Sequence, residues 1–250
     1  MNRIEKTILA ITGGAHLSVH ALMLALPSLI PIFMSEFNVG IDVLGFVVTI
    51  SAFMFGVGAI PSGWLESKIG GKTLLILYLF GSSFSAILIS VSNSFNLLVF
   101  GLGLLGLTSS IYHPAGLTLI SNRIHHITKG MAVHGVFGST GSAIGPVLAT
   151  TLALFISWRA SYATLGLFNF TLGIASILLI PSTKDTKNVE MMNNEKKAKV
   201  TNRIALLFFY ITNLIMGFVY YGFTTFMPIH FAENTKEFLP FISDTMKAGV

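Results

Sequence analysis

The chain has 250 residues, of which 53% are hydrophobic and only 10% are charged, and its mean hydropathy is +0.77. Soluble domains carry about 25% charged residues, so this composition indicates a polytopic membrane protein. The sequence contains no cysteine, which excludes disulfide frameworks, thiolate metal sites and cysteine nucleophiles within it. The net charge of +5 could suit nucleic acid, but the basic residues lie in short segments between apolar spans. We therefore expect a lipid bilayer as partner and no nucleic acid.

Seven apolar stretches are long enough to cross a membrane as helices, since each crossing needs about 20 residues. We predict an all-α chain with crossings at 7–34, 43–63, 73–91, 97–121, 131–156, 161–180 and 204–229. The first stretch lacks the small-residue cleavage site of a secretory signal, so we interpret it as the first crossing and not as a removable peptide.

The basic residues predict the orientation of these crossings. If the amino terminus lies inside, most Lys and Arg residues fall on the inner side, as the positive-inside rule requires. This distribution predicts a multi-pass protein of the plasma (inner) membrane with a cytoplasmic amino terminus. The inner set is Arg3, Lys6, Lys68, Lys72, Arg123, Lys129, Lys184, Lys187, Lys196, Lys197, Lys199 and Arg203, and the outer set is Arg159, Lys236 and Lys247.

Three parts are predicted along the chain. Residues 1–181 form a six-helix transmembrane bundle, and residues 204–250 begin a second bundle with one helix and an outer loop. Between them, residues 182–203 are rich in Lys, Asn and Glu, which is typical of a solvated cytoplasmic linker. A role of this linker in binding lipid headgroups or in regulation is the alternative.

The first and fourth crossings both combine histidine with proline. Pro114 lacks an amide hydrogen, so we expect the fourth helix to bend near it. Interrupted helices at corresponding places in two three-helix units are a pointer to the central site of transporters built from repeats. We expect His113 to face an interior cavity, although a simple kink with a bond between His113 and a neighbouring helix remains an alternative. The residues concerned are His16, His20, Pro27 and Pro31 in the first crossing and His113 and Pro114 in the fourth.

The predicted crossings contain no acidic residue, so any proton coupling in this part of the protein must rely on histidine. His16 and His20 are four residues apart and share one helix face. This spacing could chelate zinc, but no acidic or thiol partner lies in any crossing, so we predict no metal site. A proton or substrate role and structural hydrogen bonding remain the alternatives. His134 near the inner end of the fifth crossing is equally compatible with an interfacial ring.

Two segments combine glycines with basic residues or proline, 63–72 between the second and third crossings and 141–146 in the fifth. The segment 63–72 resembles the cytoplasmic signature loop between the second and third helices of the major facilitator superfamily, although Ser67 stands where the family usually has aspartate and Gly71 where it usually has a basic residue. The segment 141–146 is similar to the glycine-proline motif of exporters in that superfamily, with Ala149 in place of a later glycine. The matching residues are Gly63, Leu65, Lys68, Gly70 and Lys72 in the loop and Gly141, Gly145 and Pro146 in the fifth helix.

The histidine segments are most similar to the fosmidomycin-resistance branch of that superfamily. There a glycine-histidine pair opens the first helix and an aromatic-histidine-proline run lies in the fourth, which correspond here to Gly14-Ala15-His16 and Tyr112-His113-Pro114. His20 stands where that branch often has aspartate. The resemblance implies that Tyr112 and the seventh-helix residues Asn213 and Tyr220 belong to a substrate or proton pathway, with packing between helices as the alternative for the last two.

The superfamily resemblance implies twelve helices in two six-helix bundles, each built from 3+3 inverted repeats. The sequence supplies one bundle and a seventh helix, so we expect a C-terminally truncated chain or part of a longer product that contains the rest of the second bundle. The implied function is a secondary active transporter without a cofactor, a proton-coupled efflux-type antiporter for a small organic solute that works by alternating access. Uptake of an organic anion or metabolite, and a receptor or assembly subunit without transport, are the alternatives.

An enzyme is not expected. The sequence has no His-Glu-x-x-His run and no phosphate loop. The sixth predicted crossing also lacks the histidine that a serine nucleophile in the fifth would need as a general base.

Overall fold

The computed structural model describes residues 1–182 and 203–234, and every regular element in those residues is an α-helix. Most of the predicted linker and the predicted outer loop, with the basic residues assigned to them, lie outside the described residues. The helices are α1 (Arg3–Ser28), α2 (Ile30–Phe37), α3 (Ile41–Ser90), α4 (Phe95–Ser109), α5 (Tyr112–Arg123), α6 (Ile127–Phe155), α7 (Trp158–Leu179) and α8 (Arg203–Asn234).

The first crossing consists of α1 and α2, which are separated only at Leu29. Pro27 lies in the last turn of α1 and Pro31 in the first turn of α2. A proline in the first turn needs no amide hydrogen, whereas one inside a helix removes a backbone bond, so this pair of prolines favours a break between them. The prolines of the predicted first crossing therefore mark a real interruption.

The second and third crossings are the two halves of α3. This helix has 50 residues, which at about 1.5 Å per residue gives about 75 Å, more than twice the thickness of a bilayer core. Gly70 divides it, with φ 79° and ψ 158°. The predicted signature loop is therefore wrong in extent, because the chain stays helical up to this glycine and resumes a helix directly after it.

The fourth crossing consists of α4 and α5, which are separated at Ser110 and Ile111. Pro114 lies in the first turn of α5, so the break falls one turn before the proline, at the carbonyl that the proline leaves without a partner. Helices α6, α7 and α8 are the remaining crossings, so the seven predicted helical segments are confirmed. Six helical spans, with the two halves of α3 counted as one, are apolar and long enough to cross a membrane.

The bundle is built around α1, which packs against α5, α6 and α7. Two apolar core clusters lie on either side of a polar layer. One contains Leu26 and Phe33 of the first crossing, and the other contains Ile8 and Ala15. In the layer between them, the Ser18 hydroxyl donates to the Asn169 carbonyl oxygen, and the Asn169 amide donates to Ser82 at 2.6 Å. All three side chains are fully buried, so α1, α3 and α7 are joined by satisfied polar groups.

Hydrogen bonds also join the helices at both ends of the bundle. At the end that holds the amino terminus, Lys72 donates to the carbonyls of Ile180 at 2.5 Å and Ile177 at 3.4 Å, at the C-terminus of α7. A cation there is favoured by the helix dipole. At the opposite end, Arg159 pairs with Glu36 at 2.8 Å. Each of the two ends of α7 is thus bonded to another crossing.

Helix α8 lies on the outside of this bundle. It packs mainly against α1, and Phe226 approaches Gly45 of α3. Most of its described side chains are exposed, including the large apolar ones Ile204, Phe208 and Phe218.

Candidate functional site

Four histidine side chains converge where α1, α5 and α6 meet. His16 and His20 come from α1, His113 from α5 and His134 from α6. The ring of His16 stacks on that of His134 with centroids 3.8 Å apart, and its centroid lies 4.8 Å from that of His20 and 5.3 Å from that of His113. His16 is therefore at the centre of the cluster.

Local structure explains why the rings meet. The spacing of four residues brings His16 and His20 to one face of α1. The break before α5 places His113 in that helix's first turn, one residue after Tyr112. On α6, a side chain at Gly138 would collide with the His16 ring. The absence of a side chain there leaves the space that the imidazole occupies.

The hydrogen bonds of the cluster define the tautomer of His16. Its Nδ1 lies 2.7 Å from the carbonyl oxygen of His134. A carbonyl only accepts, so Nδ1 carries the hydrogen and, in the neutral ring, Nε2 presents a lone pair. That Nε2 lies 3.1 Å from Nε2 of His20.

Tyr112 packs against the histidine cluster. Its hydroxyl donates to the carbonyl of Thr12 at 2.5 Å and lies 3.3 Å from Nδ1 of His134. The side chain is completely buried, and its ring stacks on that of His16 with centroids 5.3 Å apart. Tyr112 thereby ties α5 to α1 and α6 at the level of the histidines.

A cavity of about 170 Å³ lies beside the cluster. It is formed by α1, α3, α5 and α8, and its polar wall consists of imidazole and phenol groups with no carboxylate. Met23 and Phe55 contribute apolar surface. The lining residues are Val19, His20, Met23, Leu24, Phe55, His113, Tyr220 and Tyr221.

The structure brings together five of the six residues predicted for the pathway. His20, His113 and Tyr220 line the cavity, and His16 and Tyr112 lie directly behind it. Asn213 does not join them. Its side chain is exposed on α8 and its amide donates to the carbonyl of Phe209 at 2.8 Å, within the same helix.

The residues predicted for kinks and packing have separate positions. Gly141 and Gly145 lie against the backbone of Leu17 and Ala21, where a side chain would collide with α1. Pro146 lies inside α6, which continues through it to Phe155. Pro114 follows the break already described. These glycines hold α6 close to the helix that carries His16 and His20.

The signature residues lie away from the cavity, near the break at Gly70. Lys68 lies over the ring of Trp64, with its Nζ 5.7 Å from the ring centroid, and Gly63 has open space around it. Lys72 donates hydrogen bonds to the carbonyls of Ile180 and Ile177 at the C-terminus of α7. These residues therefore belong to the end of the bundle and not to the site.

His134 is the residue of the site that sequence reasoning undervalued. The sequence leaves an interfacial position open for this ring, whereas the structure buries His134 against His16 and Tyr112. The sequence indicates this position through Gly130 and Gly138, which lie four residues before and after His134. These two glycines leave the face of α6 on either side of the imidazole without side chains, so another helix can approach closely.

Comparison with known proteins gives the family. The Major Facilitator Superfamily profile matches residues 11–243. Similar proteins include an uncharacterised transporter of Buchnera aphidicola from Acyrthosiphon pisum (24% identical, covering 86% of this chain and 54% of the relative). The inner membrane transport protein YnfM of Escherichia coli K12 is 23% identical (68% and 42%), and the quinolone resistance protein NorB of Staphylococcus aureus JH9 is 23% identical (68% and 36%).

The chain spans about half the length, or less, of the curated relatives it matches. The Buchnera and Escherichia coli relatives are named as transporters or transport proteins. With a profile match over most of its length and the seven-crossing helical fold, the chain belongs to the Major Facilitator Superfamily.

Proposed function

We propose that the protein is a secondary active transporter that exports a small organic solute by alternating access, driven by the proton gradient. The observation that carries the proposal is the cavity beside the histidine cluster. It lies where the interrupted first and fourth crossings meet the seventh, which is where superfamily symmetry would place a central solute site.

The lining of the cavity favours a solute that is polar at one end and apolar at the other. His20, His113 and Tyr220 offer hydrogen-bonding groups, whereas Met23 and Phe55 offer apolar contact. Pockets with mostly apolar walls and a few convergent polar groups bind small organic molecules in this way. Export is supported by the relative named for quinolone resistance, and the Tyr112-His113-Pro114 run supports a place near the fosmidomycin-resistance branch.

A proton is proposed as the coupling ion because of the chemistry of the cavity wall. Sodium in transporters is coordinated by oxygen groups such as backbone carbonyls, and none of the described side chains that line the cavity is a carboxylate. We further propose that the amino terminus is cytoplasmic in the plasma membrane, on the basis of the basic residues at that end.

Alternating access requires that the bundle move as one body relative to a second bundle. Tight contacts of Gly141 and Gly145 with α1 and the bonds at both ends of α7 make residues 1–181 suitable as such a body. The other body would be formed by α8 and further helices of the whole protein.

The natural full-length protein in proteoliposomes tests this function. An imposed pH gradient should drive movement of at least one member of a panel of small amphiphilic solutes, whereas an imposed sodium gradient should not. Solute accumulation in the compartment that the protons enter would indicate an uptake carrier instead of an exporter. Absence of flux for every solute under every gradient would favour a receptor or assembly subunit and contradict the proposal.

A further inference from the structure

We propose that His16, His20 and His113 bind a late first-row transition-metal dication, represented by Zn²⁺, between α1 and α5. One ring nitrogen from each histidine lies within 4.8 Å of the other two. The sequence alone placed only two imidazoles together, on one face of α1. The break between α4 and α5 supplies the third ligand.

The distances fit a metal ion with a small adjustment. Zinc binds imidazole nitrogen at about 2.0–2.1 Å in tetrahedral geometry, so two ligating nitrogens lie about 3.4 Å apart. Nε2 of His16 and Nε2 of His20 are separated by 3.1 Å. His113 would need to move by up to about 1.5 Å to bring a nitrogen that lies 4.8 Å from both of these to the tetrahedral spacing. Rotation of a half-buried side chain at the start of a helix provides such a movement.

The ligand at the centre is already oriented. His16 donates its Nδ1 hydrogen to the carbonyl of His134 at 2.7 Å, which leaves the Nε2 lone pair directed at His20. Metal-ligating histidines almost always donate their other ring nitrogen to a carbonyl or carboxylate, because this fixes the tautomer and the ring orientation. A hydrogen bond between His16 and His20 without a metal is the competing explanation of their short separation.

The donor set selects the class of metal. Imidazole suits zinc, copper, nickel and iron, whereas calcium and magnesium require oxygen ligands. The three proposed ligands are all nitrogen donors.

Three protein ligands leave a fourth coordination position. His16 is buried on the far side, whereas His20 and His113 line the cavity, so that position faces the cavity. An acidic group of a solute would occupy it. This consequence, unlike the site itself, rests on the proposed transport function, and it identifies the solute class as one with a metal-binding acidic group.

Metal binding can be measured without any transport assay. The intact natural protein, purified without an affinity tag and stripped with a chelator, should bind about one Zn²⁺ per chain at this site. His20→Gln and His113→Gln should each weaken binding by at least about tenfold. His126→Gln, which changes a histidine outside the cluster at the start of α6, should not alter it. Equal binding in all four proteins would overturn the proposal, as would no binding by the unaltered protein.

A second variant tests ligation directly. These 250 residues contain no cysteine, so His20→Cys places the only thiol among them at residue 20. With Co²⁺ as the probe, this variant should show a thiolate-to-cobalt charge-transfer band that the unaltered protein lacks. Folded His20→Cys protein without that band would show that residue 20 does not ligate. Neither result depends on flux, so failure of the metal site would leave the transport proposal standing, and failure of transport would leave the metal site standing.

Discussion

His113 is the residue on which the proposed transport function depends most. It lines the cavity, and its ring lies 5.3 Å from that of His16 and 6.1 Å from that of Phe55, measured between centroids. We expect His113→Ala to reduce solute flux by about tenfold or more, which corresponds to losing about 1.4 kcal/mol of interaction. Flux through proteoliposomes is the measurement, and the amount of protein inserted in the membrane should be unchanged.

The control for His113→Ala is His126→Ala, which should transport at the normal rate because His126 lies outside the cavity. Normal flux in His113→Ala would show that His113 does not take part in transport.

Asn169 lies in the polar layer between the two apolar core clusters and joins α7 to α1 and α3. It accepts from Ser18 and donates to Ser82 while fully buried. Because Asn169→Ala leaves both hydroxyls without this partner, we expect a loss of about 0.6–2 kcal/mol in unfolding free energy, the range found for polar contacts between membrane helices. Thermal unfolding in detergent measures it.

Asn213→Ala is the matched control, since that amide bonds only the backbone of its own helix and is exposed. Equal melting temperatures for the two alanine variants would show that the buried network contributes nothing to stability.

The sequence predicted part of the candidate site and missed another part. His16 and His20 share a face because of helical periodicity, and Pro114 predicted an interruption near His113. Their convergence with His134 could not be predicted, because it depends on how closely α6 approaches α1. That distance is determined by Gly138, Gly141 and Gly145 together, and a run of glycines does not identify which helix it contacts.

The contact between α1 and α6 is the element on which the site's geometry depends. Gly145 lies against the backbone of Ala21, so a larger side chain must push the helices apart. We expect Gly145→Leu to destabilise the protein by about 1–3 kcal/mol, as overpacking of a well-packed interior does. Detergent melting curves would show the loss.

Gly135→Leu is the control in the same helix. Gly135 is exposed and has no atom within 4 Å of an added side chain. Similar melting of the Gly145 and Gly135 variants would contradict close packing at Gly145.

Helical crossings were predictable, whereas their breaks were predictable only in part. Apolar length and the prolines identified the seven segments and the two interrupted crossings. The sequence predicts a loop of several residues around Gly70, whereas α3 is interrupted at that single glycine, with φ 79°. Such a conformation costs other residues about 1–3 kcal/mol, and no periodicity in the sequence distinguishes it from a longer loop.

At the scale of the whole molecule, the central claim is that the cavity opens alternately to the two sides of the membrane. The described bundle supplies one wall of this cavity, which has a volume of about 170 Å³ and lies beside the histidine cluster. Phe55 lines that space and is half-buried, whereas Ala86 is fully buried in the apolar core.

Accessibility of a cysteine at position 55 tests that claim most directly. The measurement uses the natural full-length protein without other cysteines, oriented in vesicles, and a membrane-impermeant thiol reagent applied to one side at a time. We predict that Phe55→Cys reacts from either side, whereas Ala86→Cys reacts from neither. Reaction of Phe55→Cys from one side only, or from neither, would contradict alternating access to this cavity.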